Sequence, residues 1–364
     1  MSKSALRAFC LFVTILFGIP PAFAEEVSTP TVSAKKHSAK KSSAKKRKGK
    51  AAARKPNNAS VESNERVIKR VSVDRGRRKV TYQRVAYSPV VPAQLSAGDL
   101  AGLSQTRDPL ALKSNVALVF DQTNSQVLFE KNANVVLPIA SITKLMTGLV
   151  VVEANQNMDE VLTVTDEDID REKNSSSRLR VGARLTRSNM LHIALMSSEN
   201  RAASALGRNY PGGLAAFVAA MNAKAKMLGM NDTRYVDSTG LSSRNVASAR
   251  DLAKLVVAAH EHPILCQYST DPKYVVDTGG HALQYANSNN LVANPAWDIG
   301  LQKTGYISEA GRCLVMQAKI EGRPIVMVFL DSKGKQSRLA DAGRIRKWLE
   351  AVKPQKLMSQ TAQS

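Results

Sequence analysis

The chain has only three cysteines in 364 residues. One of them, Cys10, sits in an N-terminal segment that reads as removable, and two thiols are too few to frame a scaffold with disulfides. Cys266 and Cys313 could pair in an oxidising compartment or both remain buried thiols. Histidine is equally sparse. His37, His192, His260, His262 and His281 form no H-E-x-x-H pair and no ligand set with cysteine, so no metal site is expected. His260 and His262, near the end of a helical stretch, read as solvated C-terminal caps. A glycine-rich phosphate loop is absent too, and no cofactor is implied. Beyond residue 24, no stretch approaches the roughly 20 consecutive apolar residues of a membrane-spanning helix. From Ser33 to Ser60 there is no aspartate or glutamate.

What is present is cationic charge, with a formal net value of +22. Such a balance raises nucleic acid as a partner, but the N-terminus argues against it. MSKSALRAFCLFVTILFGIPPAFAEE carries Lys3 and Arg7, an apolar run, a Pro-Pro break and Ala22-Phe23-Ala24 before two glutamates. This is the three-part layout of a cleaved secretory signal, residues 1–24, and it implies a protein outside the cytoplasm. The charge then concentrates in one segment. S-A-K-K-x occurs three times from Ser33, and Lys35 to Lys55 holds eleven basic residues. With so few large apolar side chains it cannot offset the entropy of ordering, so residues 25–107 are expected to be a disordered Lys/Arg-rich arm and linker. Alternation in VSVDRGRRKVTYQRVAY hints at a strand, against Gly76 and dense charge. In the envelope, the arm's natural partner is an anionic polymer or lipid surface.

A compact domain is expected over residues 108–354, with 355–364 as a flexible tail. NVALVFD and SQVLFEK flank a turn at Gln122 to Asn124 and read as a hairpin. Helical periodicity follows near 141–155, 187–207, 213–228 and 248–261, the last opened by Ser248 with Asp251 three residues on. GLQKTG, RCLVMQAKI and PIVMVFLD give strands, and Ser337 to about Val352 a closing amphipathic helix. Strands at both ends with helices between imply a mixed α/β fold, its sheet assembled from distant parts of the chain.

Three short stretches can carry chemistry. Ser141 and Lys144 lie three apart, on one helix face, so hydroxyl and amine can meet. A lysine activates a serine only if burial or a second cation lowers its pKa. Ser198-Glu199-Asn200 offers a hydroxyl and a carboxamide at a helix end, and Lys303-Thr304-Gly305 a cation and a hydroxyl beside an open backbone edge. Each triplet alone is common; their order and spacing together are not.

S-x-x-K, S-x-N and K-T-G are the signature of penicillin-binding proteins and class A β-lactamases. With LPIASITKLMT, LMSSENRAA, YPGG, FVAAMNAKAKMLGMNDTRYVDSTGL, SARDLAKL and KTGYISEAGRCLVM, the chain resembles the low-molecular-mass D,D-peptidases of the S11 family, in their D-alanyl-D-alanine endopeptidase branch. The resemblance covers most of residues 108 to 350 and not the arm. It implies a β-lactamase/D,D-peptidase-like fold, mainly antiparallel sheet packed with helices. It also implies Ser141 as acylated nucleophile, Lys144 as its base, held neutral by Lys303, and Ser198 as proton relay. Asn200 would orient the substrate amide, Lys303 and Thr304 would hold a carboxylate, and the N–H groups of Ser141 and Tyr306, beside Gly305, would form the oxyanion hole. Ile307 departs from the threonine many relatives carry there.

Past Asn200 and before Lys303 the sole glutamate is Glu261, outside any deacylating motif, so β-lactams are expected to stay attached. The substrate implied is a peptidoglycan peptide. Only 59 residues follow Gly305, too few for the extra β-domain and anchor of many carboxypeptidase relatives, which favours a cross-link endopeptidase over a D-alanyl-D-alanine carboxypeptidase. A non-catalytic wall-binding protein is the third reading. Deleting residues 25–88 is expected to abolish salt-sensitive co-sedimentation with wall sacculi while soluble-peptide hydrolysis persists; sacculus binding that survives the deletion would remove the arm's role.

Overall fold

The structure, a computed structural model, describes residues 65–74, 77–86 and 94–361. The expected signal, the S-A-K-K repeats and the last three residues lie outside them. The chain divides into two units, Met1–Pro89 and Val90–Ser364.

In the first unit, Glu65–Asp74 pairs antiparallel with Arg77–Ala86. These residues were expected to belong to an arm without structure, and the register shows why they form a ladder instead. Every lysine or arginine position lies opposite a neutral or acidic one, for example Lys69 opposite Tyr82 and Asp74 opposite Arg77. Like charges directly across a ladder are thereby avoided, and β-branched positions such as Val71 and Val80 face each other.

The second unit also begins earlier than residue 108. Ser96 caps the one-turn helix Ala97–Leu100 in a reciprocal capping box with Asp99, and its hydroxyl donates to Asp331 at 2.8 Å. That bond reaches a strand near the far end of the chain, which sequence spacing does not reveal.

The central sheet has five antiparallel strands in the order Asp298–Ile307, Gly311–Ile320, Arg323–Ser332, Ser114–Asp121, Gln126–Lys131. The first hairpin of the domain thus completes a sheet made by its last three strands. Alternation sends Val116, Leu118, Val326 and Val328 to one core, against the helices. Ala117, Val119, Met327 and Phe329 go to a second core, under the C-terminal helix Ser337–Thr361, which contributes Ala342, Ile345 and Leu349. Burial on both faces explains the near-continuous apolar run in PIVMVFLD. The helix extends through residues expected to form a tail.

In sequence, between the first hairpin and the last three strands, come the helices Thr143–Glu153, Arg187–Met196, Asn200–Arg208, Gly213–Met227, Ala249–His260 and Pro263–Thr270. The expected single helix over 187–207 is two, broken at Ser197 to Glu199. Both described cysteines are free thiols. His262 lies 3.4 Å from Glu153, and the His260 ring occupies the space where a Cβ on Gly300 would stand; neither is a simple solvated cap.

Asp341 ties the closing helix to the first strand. Fully buried, it accepts from the N–H groups of Lys113 and Ser114 at 3.1 and 2.8 Å and from the Ser114 hydroxyl at 2.6 Å. Asp341→Ala strands those donors and should cost roughly 3 kcal/mol of unfolding free energy, read from the denaturant midpoint, with Asp341→Asn costing less.

Candidate active site

Ser141 is held by short-range pairing on either side. Leu137–Pro138 pairs with Val246–Ala247, and Ile139 donates its N–H to Asn245 at 3.0 Å. Ala140 takes φ of +48°, and a 3-10 turn over Ala140–Ile142 runs into the helix Thr143–Glu153. That helix is buried from Thr143 to Val151. A helix apolar on nearly all sides belongs inside a protein, and Lys144 goes in with it.

The Lys144 amine has no exposure and sits among neutral oxygens. Its Nζ lies 3.0 Å from Ser141 Oγ, 2.7 Å from Asn200 Oδ1 and 2.6 Å from the Thr239 carbonyl. Burial brings its pKa down to about 8, against the opposing pull of Asp237, Glu199 and Asp170. A neutral amine keeps two N–H bonds, which suffice for Asn200 and Thr239, and its lone pair is then free to face the Ser141 hydroxyl.

Ser198 occupies the break between two helices, with φ of +65°. The left-handed turn stops the Arg187–Met196 helix and lets Asn200 start the next. Glu199, capping that helix through the Arg201 N–H, turns its carboxylate to the Ser177 hydroxyl at 2.6 Å. Asn200 donates its Nδ2 to Ser175 Oγ at 2.8 Å, which orients the amide so that Oδ1 meets Lys144.

Lys303, fully buried, donates to Ser198 Oγ at 3.0 Å and to the Thr304 carbonyl at 2.8 Å. Burial lowers its pKa well below the ordinary lysine value, and the charges of Lys144 and Arg338 lower it further. The expectation that Lys303 is what holds Lys144 neutral changes accordingly: desolvation dominates at both amines. Thr304 Oγ1 lies 2.7 Å from Ser288 Oγ. A Cβ on Gly305 would come within 2.9 Å of the Ile139 carbonyl and 3.2 Å of the Ile142 nitrogen, so the strand reaches the serine turn only because that position has no side chain. Gly240 is more constrained, at φ of +79° with a virtual Cβ 2.0 Å from the Ala140 carbonyl. Tyr306 is exposed, its ring under the Arg312 guanidinium at 4.4 Å.

The structure therefore gathers Ser141, Lys144, Ser198, Asn200, Lys303, Thr304 and Gly305 at one cleft. Sequence reasoning missed Ser175, the Thr239 carbonyl, Ser288 and Arg338. Arg338 is buried, with Nε and Nη1 lacking partners among the described residues. Ser175 sits on a loop organised by Asp170, whose carboxylate accepts from the N–H groups of Glu172, Lys173 and Ser175. Lys173 on this loop pairs with Glu309 at 2.5 Å, in the turn after the Lys303 strand. The run of three serines, Ser175 to Ser177, was the one available hint. Glu261 ends the Ala249–His260 helix and lines a cavity with Leu118 and Phe120, a cavity with no lining residue from this cleft. Among the described residues, no cluster of His, Cys, Asp or Glu is placed to hold a metal ion, and no helix is long and apolar enough to cross a membrane.

Residues 103–334 match the peptidase S11 family, described as D-alanyl-D-alanine carboxypeptidase. The chain is 50% identical over 241 residues to a D-alanyl-D-alanine endopeptidase of Pseudomonas aeruginosa, covering 66% of this chain and 78% of that one. It is 41% identical to the D-alanyl-D-alanine endopeptidase of Escherichia coli, over 74% and 86%. Among solved structures, the Streptomyces K15 DD-transpeptidase superposes with a TM-score of 0.62 at 25% identity, covering 68% of this chain and 100% of that chain. Ampicillin-bound penicillin-binding protein D2 of Listeria monocytogenes gives 0.58 at 28% identity, over 66% and 98%.

Two outcomes test this geometry. NMR titration of a selectively labelled Lys144 side chain should show a midpoint near pH 8; a midpoint at the ordinary value of about 10.4 would mean water reaches the amine. Gly240→Ala should displace the Ala140 carbonyl, lowering both thermal stability and the reactivity of Ser141 toward an acylating probe.

Proposed function

Since the chain belongs to the S11 family of serine D-alanyl-D-alanine peptidases, we propose that it is a D,D-endopeptidase that hydrolyses D-alanyl cross-links of peptidoglycan through an acyl-enzyme on Ser141. The observation that carries the proposal is the buried, depressed-pKa Lys144 amine 3.0 Å from Ser141 Oγ. Neutral Lys144 takes the Ser141 proton as Oγ adds to the carbonyl carbon of the D-alanyl residue. The resulting oxyanion is assigned to the N–H groups of Ser141 and Tyr306, and the abutment of Gly305 on the serine turn supports that assignment. The C–N bond then breaks, and the proton passes through Lys144 and Ser198 to the leaving amine. Ser198 is suited to the relay because its hydroxyl receives a bond from Lys303. Water returns the enzyme by the reverse sequence at the ester.

Asn200 holds the substrate amide, and Thr304 with Lys303 binds the carboxylate beside the scissile bond. Two relatives of high identity bear the endopeptidase name, which favours this reaction over terminal D-alanine removal. Among the described residues, Glu199 beside the cleft caps the Asn200–Arg208 helix and accepts from Ser177, and Glu261 lines a separate cavity; β-lactams are expected to act as long-lived covalent inhibitors. A periplasmic location rests on the secretory signal read in residues 1–24, and contact with an anionic envelope surface on the basic arm.

Mature protein incubated with purified muropeptides should convert cross-linked dimers to monomers, and Ser141→Ala should not. Removal of terminal D-alanine from pentapeptides alone would assign a carboxypeptidase. Fluorescent penicillin should label the protein stably, and label surviving Ser141→Ala would sink the nucleophile assignment. Acylation should rise with pH as Lys144 loses its proton, with a midpoint near 8 set by that group and modified by its coupling to Lys303.

A further inference from the structure

Two cavities lie beside the residues gathered at the cleft. One, of about 480 Å³, is lined by Ser288, Tyr285, Gln284, Lys273 and Arg178. The other, of about 660 Å³, lies between the 177–183 loop and the tip of the Lys273–Asp277/Ala282–Ala286 hairpin, with Arg178, Arg180 and His281 in its wall. Neither is lined by an aspartate or a glutamate. Arg178 belongs to both, and also to the smaller cavity holding Ser198 and Asn200, which Glu199 lines as well. Sharing that wall, the three spaces are read as one track that starts at Ser198 and Asn200.

The cations along this track are placed to be used. Arg178 is exposed yet fixed, its guanidinium stacked 3.9 Å over the Tyr285 ring and donating to the Gln284 carbonyl. Tyr285 is itself buried, so the arginine has a rigid base, and a preorganised planar cation loses little entropy on binding a carboxylate. The nearby carboxylates do not neutralise it. Glu199 faces Ser177, with the Tyr285 hydroxyl at 3.5 Å. Asp277 accepts from the turn amides of Gly279 and Gly280. Lys273 and Arg180 are exposed.

The geometry points to a subsite in which Arg178, with Lys273 and Arg180, binds the carboxylates of the second peptide of a cross-link, the one that leaves as the amine. The inference rests on the endopeptidase reading. A terminal D-alanine ends at the carboxylate held by Thr304 and Lys303. Ser288 touches Thr304 at 2.7 Å and lines the first cavity, so whatever continues past that carboxylate enters the track. A cross-linking diamino acid does continue, into a peptide bearing further carboxylates. The subsite therefore acts on the choice between cross-linked and free substrates, not on acylation.

The test compares full-length mature protein with Arg178→Ala, Lys273→Ala and Arg180→Ala, using a soluble muropeptide dimer, a D-alanyl-D-alanine tripeptide and fluorescent penicillin. The ratio of kcat/KM on the dimer to the penicillin acylation rate should fall roughly tenfold in Arg178→Ala, as loss of one charge-assisted bond implies, chiefly through KM. Arg178→Lys should recover part of it, and added salt should raise the wild-type KM for the dimer more than for the tripeptide. Equal losses on all three substrates would make Arg178 a structural prop of Tyr285 and overturn the subsite. Because Lys273 and Arg180 have no such packing role, unchanged dimer kinetics in both would also count against it. A wild type that cleaves dimers with variants its equal removes the subsite alone; a wild type that leaves dimers intact removes the endopeptidase reading and the subsite with it.

Discussion

An ammonium group taken out of water must find other partners or give up its proton, and the Lys144 amine is enclosed so that both options stay close in energy. Three neutral oxygens, from Ser141, Asn200 and Thr239, replace its hydration, while burial brings the pKa to about 8. Each of those oxygens comes from a different part of the chain, so the lysine specifies how the parts must meet. Asn200 has to be turned by Ser175. The Thr239 carbonyl is presented by a loop that Asp237 organises through the N–H groups of Thr239 and Gly240. The strand carrying Lys303 must approach closely enough for Gly305 to touch the serine turn. Had carboxylates supplied the acceptors, the amine would be held charged and useless as a base.

The same constraint explains where strain is tolerated. Ala140 and Ser198 both adopt left-handed backbone conformations, uncommon for residues with side chains. They stand immediately before the Ser141 turn and inside the second motif. At both places the chain changes direction sharply, and each bend places a hydroxyl within reach of a lysine amine. Lys144 and Lys303 are each joined to a separate serine, so the cleft holds two distinct amine–hydroxyl pairs.

Much of this was legible in the sequence because it is encoded at short range. Ser141 and Lys144 share a helix face whatever else the chain does, and the alternation in RCLVMQAKI and PIVMVFLD registers as strand before any partner is known. Ser248 capping the helix Ala249–His260 through the Asp251 N–H is likewise local. Features that depend on distant contacts were not legible. The polar Ser-Ser-Glu-Asn run in LHIALMSSENRAA marks a helix end, but not that the left-handed turn at Ser198 presents its hydroxyl to Lys303. Arg338 reaches the neighbourhood of Lys303 from the closing helix, and Ser175 is chosen from a polar run by its contact with Asn200. In the arm, residues 65–74 and 77–86 pair in a register that keeps cations apart, a property of two segments that neither segment shows alone.

The sheet order carries a consequence for how the protein comes into being. Leu118 lies opposite Val328, so the first hairpin of the domain, whose two strands pair with each other at once, waits for nearly the whole chain before it joins the rest of its sheet. Pairings of such sequence separation are slow to form and leave apolar surface uncovered meanwhile, including the helix of Lys144. A chain still emerging N-terminus first possesses Ser141 and Lys144 but lacks the Lys303 strand and the core that dries the amine. Its lysine is then an ordinary, protonated one, and the serine is inert. Topology thereby works as a timer: the dry, close pairing of Ser141 with Lys144 exists only once the last strands are in place.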